Sequence, residues 1–478
     1  MEMTEKKETP PPWQRIHPDL SILGRDPGER TKFRLNVNSF QQSALISFKQ
    51  WQYAAFYTCD SEPDGDGTFP RYVTLARRNL CTFPPEESKR RPWELLTFHD
   101  YKQTTDDGHN IISIGICFGD GTIHVSFDHH CDPLHYRISQ PGAALEPDLY
   151  EWSPQLFSPV RNHLPGLPSA TSSTLREITY PRFVSHGDDL VFTHRIGQAG
   201  AGSDVLYIYR ARTHEYTLLG TYLTGVNNNP YINGMDSLSG CLYVSWCYRE
   251  FVEFDNSSGT AHKQQAGPNG PENNRDLGFM YSEDDGQTWC NNSSRTICDL
   301  SRDETVKPDT EGAVVLRIPK NSGILNQESQ AADSNGGFHV LNREKRHGQM
   351  QWIHYYRDSS GVWISIPILN VIPTETGNRG SIGVDRKNNV FFLLPSNTDS
   401  SLSLLASSPD SSYREVELLW KGTGYDGEPL IDIERLKTED ILSVFTRIEP
   451  ERGGSLIVID FHLYAWSSGP NIGESDEV

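Results

Sequence analysis

Short apolar runs of period two, broken every few residues by Gly, Asn and Asp, recur along the whole chain. The stretch "DDGHNIISIGICFGDGTIHVSFDHHCDPLHYR" (106–137) displays the unit. Residues 111–118 predict a strand, "GDGT" a tight turn and 123–127 its hairpin partner, and after the loop "DHHCDP" a third strand follows at 134–139. The same order returns in "ALISF…YAAFY" from Ala44, "YPRFV…LVFTHR" from Tyr180 and "YINGMD…CLYVSW" from Tyr231. It returns again in "SQAAD…FHVLN" near Ser329, "GSIGVD…VFFLL" near Gly380 and "LIDIE…ILSVF" near Leu430.

These are seven units, and none can bury both faces of its own small sheet. Radial stacking buries the faces and shields the edges, so the pattern predicts an all-β, seven-bladed β-propeller. "SEDDGQTW" (Ser282–Trp289) matches the Asp-box S-x-D-x-G-x-T-W, a turn between outer blade strands. "TKFRLNVNSF" (31–40) alternates well enough to supply a strand that closes the ring against the last blade. The expected organisation is an N-terminal extension (1–30), one catalytic propeller (31–467) and an acidic tail (468–478).

Length alone, 478 residues, would suggest two or three domains, but the repeat overrides that expectation. No apolar run is long enough to span a membrane. The start, "MEMTEKKETPPPWQR", shows no secretory h-region, which leaves a cytoplasmic protein or a secreted one without its leader. Eight cysteines include no CxxC pair; Cys241 and Cys247 share one strand, whereas Cys290 and Cys298 are placed to pair. A net charge of −20 argues against nucleic-acid binding, so an anionic ligand must be met by a few local Arg and His side chains. A ring closed within one chain predicts a monomer.

In a propeller, the loop entering the innermost strand and the loop leaving the second strand open on the same face. That geometry brings His109 and His130 together although 21 residues separate them. It likewise joins Tyr180 to Arg195, and Tyr231 to Tyr248 and Arg249. His124 and His135 lie within strands and are expected to pack. The candidate catalytic set is His109, His130, Tyr180 and Arg195, with Tyr231, Arg249, His129 and Arg182 as candidate substrate contacts.

His, Tyr and Arg without a carboxylate pair suit β-elimination from a uronic acid. Removing the proton beside the carboxylate builds charge that a cation must neutralise, and Arg195 is always charged. A His can take the proton near neutral pH. Tyr180 can protonate the leaving oxygen, or act as base if Arg195 lowers its pKa. The elimination requires no cofactor and the site needs no metal. A glycosidase would want two carboxylates placed across the site, and none stand out.

The motifs "DDGHN", "DHHCDPLHYR", "TYPRF", "HRIGQAGAGSD" and "DLGFMYSEDDGQTW" resemble the neuraminidase-repeat-like propeller family that includes polysaccharide lyases. That family contains seven-bladed ulvan lyases and a fungal rhamnose-α-1,4-glucuronate lyase that acts on gum arabic. The resemblance runs from about Gln52 to the last blade and is strongest over 106–300. It implies two His, a Tyr and an Arg as the catalytic set, matching His109, His130, Tyr180 and Arg195. The implied substrate is an acidic plant or algal polysaccharide. Relatives often place a zinc-binding His where this chain has Arg275. His339 and His354, on neighbouring strands, remain as residues that share either a metal such as zinc or a hydrogen bond. A calcium ion in the channel has no sequence signal for or against it. Two other classes stay open. A sialidase-like hydrolase would use Arg182, Arg195, Arg249 and Arg317 as a carboxylate cluster, and a non-catalytic propeller would only bind glycan.

Overall fold

The structure is a computed structural model that describes residues 16–59, 69–81, 92–167, 173–198, 200–253, 270–369, 374, 377–449 and 454–463. Its strands form seven small antiparallel sheets, each a propeller blade. The innermost strands, in order, are Leu45–Phe48, Ile112–Ile116, Ile178–His186, Asn228–Leu238, Ser329–Ala332, Ser381–Val384 and Tyr425–Ile431. They begin close to the predicted unit starts, because period-two alternation and Gly/Asn turns mark hairpins well. Among the described residues there is one α-helix, Ile433–Glu439, and no helix is long and apolar enough to cross a membrane.

Seven apolar clusters hold the ring, one at each blade-to-blade contact. Between blades three and four, Val191 and Leu206 meet Ile232, Val244 and Trp289. Trp289 is fully buried and stacks on Tyr222 with ring centroids 5.3 Å apart. The turn before it is fixed by polar side chains. Asp284 accepts from the Thr288 amide at 2.8 Å, and Ser282 Oγ accepts from the Gly286 amide at 2.9 Å.

Ring closure departs from the expectation. The strand that closes the last blade is Asp19–Arg25, paired antiparallel with Ser455–His462. The propeller therefore starts upstream of residue 31, inside the stretch read as an extension. As an edge strand it leaves Leu20 and Ile22 48% and 61% exposed, so burial does not stamp an inward pattern on it. Residues 31–40 alternate but form no strand. Val37 takes φ +56°, and Asn38 caps the short 3-10 turn Ser39–Gln41 by accepting from the Phe40 amide at 3.0 Å. This segment crosses the channel mouth instead. The Ser39 amide donates to Glu428 of blade seven at 2.5 Å, and Gln42 Nε2 donates to the Asn233 carbonyl of blade four at 2.9 Å.

Cysteine pairing also differs: all eight thiols are free. Cys298 faces Trp289 across the hairpin while Cys290 faces Thr296, so the two sulfurs lie on opposite faces of the sheet. His339 and His354 are joined by a hydrogen bond. Nδ1 of His339 is 2.9 Å from Nε2 of His354, and its Nε2 is 3.1 Å from Asp333, all three being buried. His124 packs as expected, buried and bonded to Tyr136 and Tyr216 at 2.7 and 2.8 Å. The acidic tail lies outside the described residues.

Candidate active site

One channel mouth collects side chains from blades two, three and four. His109 precedes the innermost strand of blade two, and His130 follows that blade's second strand, Ile123–Phe127. Asp128 and Cys131 both adopt positive φ, +62° and +57°, and the double bend turns the two histidines between them in opposite senses. His130 stays on the face. The segment His130–Asp132 leaves its own blade and pairs with the start of the next, Thr179 opposite His130. The position of His130 is thus tied to the backbone beside Tyr180.

Tyr180 is itself a break in its strand. Its φ is +58°, the ladder slips between Thr179 and Arg182, and Pro181 follows. Such a conformation costs a non-glycine residue on the order of 1 kcal/mol or more, and it clusters at functional sites. The slip aims the ring at the mouth. Arg195, opposite Thr179 on the second strand, places its guanidinium 4.9 Å from the Tyr180 ring centre.

The imidazoles of His109 and His130 lie stacked, 3.9 Å between centroids and 16° from parallel. Nδ1 of His109 is 2.5 Å from Oδ1 of Asp107, and Nδ1 of His130 is 2.6 Å from Oδ2 of the same carboxylate. His109 lies 5.6 Å from the Tyr180 ring. Tyr231 meets Tyr180 edge-on at 6.2 Å, and its hydroxyl accepts from Arg195 at 3.4 Å and from Asn229 at 3.3 Å. Arg249 stands 5.1 Å from the Tyr231 ring centre. Six of the eight candidates therefore converge.

The other two do not reach the mouth. His129 is fully buried and turned away from His130, its Nε2 accepting from the His135 amide at 2.8 Å, so it cannot touch substrate. Arg182 is buried beneath the site, bonded to the Tyr180 carbonyl at 3.4 Å. It also faces buried Asp204, whose carboxyl burial pushes up to about 6 against the pull of Arg182 and Arg195. Arg317 is exposed and paired with Asp276 at 3.0 Å.

Two participants escaped the sequence reading, Asp107 and Phe40. Asp107 stands two residues before His109 in "DDGHN", and an acceptor at that spacing is the available signal. Phe40 comes from the segment taken for a strand. It stacks on His109 at 5.3 Å, touches Tyr180 at 5.1 Å and carries Arg379 5.0 Å from its ring centre.

The electrostatics sort these groups. Burial, together with the neighbouring His109, pushes His130 down to about 4 in spite of Asp107. Burial works to raise the Asp107 carboxyl, but its hydrogen bonds from both imidazoles hold it well below the usual carboxylate range. Burial and the neighbouring Tyr231 raise the Tyr180 phenol beyond what three nearby arginines can offset. Tyr231 moves the other way: burial is outweighed by Arg249 and Arg195. At neutral pH the mouth thus holds a protonated Tyr180, a neutral His130 and a guanidinium at Arg195. Tyr180 as a base acidified by Arg195 is not what the surroundings provide.

Asp107, His109 and His130 are also the one trio of donor atoms among the described residues close enough to share a metal ion. In this structure the three are joined by hydrogen bonds. Each Nδ1 meets its own carboxylate oxygen at hydrogen-bond distance.

Fold and site together define a seven-bladed β-propeller carrying a cluster of His, Tyr and Arg side chains at one mouth. Residues 51–371 match the model of the BNR repeat-containing family, and the chain belongs to that family. The structure is similar to that of the polysaccharide lyase Uly1, with a TM-score of 0.67, 16% identity, and 94% of this chain and 99% of that one covered. It is also similar to a PL25 ulvan lyase bound to -[GlcA(1-4)Rha3S]-, with a TM-score of 0.61, 12% identity, and 93% and 95% covered. At such identities the likeness establishes the fold. No curated protein matches the chain.

Proposed function

We propose that the protein is a polysaccharide lyase that cleaves a 4-linked glucuronate by β-elimination. The observation that carries this reading is the convergence of His109, His130, Tyr180 and Arg195 at one mouth, with the Tyr180 phenol held protonated and the His130 imidazole held neutral by burial. Arg195 neutralises the uronate carboxylate as charge builds on it. A neutral imidazole of the His109–His130 pair takes the C5 proton, the C4–C5 double bond forms and the C4–O4 bond breaks. Tyr180 gives its proton to the departing O4. The similar fold of two solved lyases, one holding a glucuronate–rhamnose oligosaccharide, supports the same chemistry.

Within that class the reading favours rhamnosyl-α-1,4-glucuronate ends of arabinogalactan or gum arabic, which would release L-rhamnose. A net charge of −20 suits a short terminal target better than a long sulfated polyanion, which needs a basic groove. Ulvan is the alternative substrate. Incubation with gum arabic and with ulvan, read by ultraviolet absorbance of the unsaturated uronyl product and by free rhamnose, tests both. Absorbance with rhamnose from gum arabic supports the favoured reading, absorbance on ulvan alone shifts it to the alternative, and product without absorbance means hydrolysis.

A further inference from the structure

We propose that Asp107 is a positioning residue that locks both catalytic imidazoles in one tautomer, Nδ1–H, and so presents two basic Nε2 atoms to the uronate. The inference rests on the lyase reading for its catalytic consequence, but not for the tautomers themselves.

A carboxylate in a tight turn has its role fulfilled by the turn. Asp107 Oδ1 already accepts from the His109 amide two residues on, at 3.0 Å. Its contacts go well beyond that. Oδ1 also meets His109 Nδ1, and Oδ2 reaches His130 Nδ1, 23 residues away in sequence on the far side of the hairpin. No arginine or lysine among the described residues pairs with Asp107, so the two imidazoles are its side-chain partners. An ionised carboxylate only accepts, and therefore each Nδ1 must carry a proton. In the neutral ring Nε2 is then a lone pair, and no protein group among the described residues takes up either Nε2.

The neighbouring residues divide the labour. Asp106 anchors the segment that crosses the mouth, accepting from the Lys32 and Phe33 amides at 2.7 and 3.0 Å. Asp107 turns to the histidines. The stack is closed on its other side by Phe40, so the His109 ring is held between an apolar face and a second imidazole. Other charged or titratable groups around the pair are Arg195 and Tyr180 from blade three and Asp132 after His130, whose carboxylate takes the His130 amide at 3.0 Å. None of these offers an acceptor to an imidazole nitrogen. Asp107 alone sets the tautomers.

Replacing Asp107 by Asn keeps the shape but supplies one donor and one acceptor where two acceptors are needed. One imidazole must then give up its Nδ1 proton and carry it on Nε2, where it blocks the base. Asp107→Asn is expected to lower kcat about 100-fold with KM within about threefold, and Asp107→Glu to restore part of it. Nitrogen-15 spectra of histidine-labelled wild type, recorded without substrate, should show two rings of the Nδ1–H type that couple to the mouth. In Asp107→Asn one of them should change type.

The outcomes separate the two readings. Nδ1–H rings in a protein that turns over no uronate polymer leave the Asp107 assignment standing and remove the lyase. A wild-type Nε2–H tautomer at His109 or His130, or full turnover in Asp107→Asn, overturns the assignment. So does turnover that a chelator abolishes and a divalent ion restores, since Asp107 would then be a metal ligand. If the Asn variant fails to fold, the wild-type spectrum decides.

Discussion

In the proposed elimination Tyr180 is the acid. Its phenol is raised by burial and by Tyr231, so it holds its proton at neutral pH, as the proposed acid must. Tyr180→Phe removes that proton with little change in shape. Turnover is expected to fall by about 10²–10⁴ while the melting temperature stays within a few degrees of wild type. Arg195→Lys keeps a charge but loses the planar fork, and should lower kcat/KM at least tenfold. The base leaves a signature in pH. A base works only when unprotonated, so activity is lost as pH falls through its pKa. If His130 takes the proton, the acid limb of the kcat/KM profile lies near 4. A limb at the ordinary imidazole value of about 6.5 would assign the base elsewhere. The meeting of His109 and His130 was legible in the chain because hairpin geometry alone returns them to one face. Asp107 was not, since an Asp before a His reads equally well as a turn residue.

At the scale of elements, the chain's alternation located six of the inner strands closely but misplaced the strand that closes the ring. Asp19–Arg25 sits at an edge with Leu20 and Ile22 in solvent, while 31–40 has the better alternation and is broken by Val37. Burial writes the pattern, and an edge strand has little burial to write. Closure depends instead on buried polar groups that no periodicity reveals. Asp460 of blade seven takes Arg78 of blade one at 2.8 Å and Arg435 at 2.8 Å, and all three are buried. Removing one partner of such a set typically costs about 3–5 kcal/mol, so Asp460→Ala should lower the melting temperature sharply. A change of under two degrees would mean the ring does not depend on that latch. Gly278 is a second element-scale constraint. A Cβ there would lie 2.1 Å from the Trp246 ring, so Gly278→Ala must displace a buried tryptophan between strands of blade four.

Across the whole molecule, burial has pushed several histidines down: His124 and His194 to about 3 and His130 to about 4. The unfolded chain binds protons at these sites near pH 6.5 while the fold refuses them. Stability is therefore fully present above about 6.5 and declines as pH falls toward 3, by on the order of 3 kcal/mol for each such histidine. Thermal melts from pH 8 to 4 should show the fall begin below neutrality. A flat profile would contradict the burial of these rings. The same scale explains what composition could and could not say. A charge of −20 argues against a nucleic-acid surface, yet it is silent on the local field at the mouth, where Arg195, Arg249 and Arg379 converge on two tyrosines.

The central claim is elimination from a glucuronate at this mouth. Its most direct measurement is the ultraviolet absorbance of the unsaturated product, with free rhamnose, from gum arabic treated with wild type and with Tyr180→Phe. The account predicts that absorbance and rhamnose rise together for wild type and that both nearly vanish for the variant. Rhamnose released without absorbance, or equal absorbance from the two proteins, would contradict it.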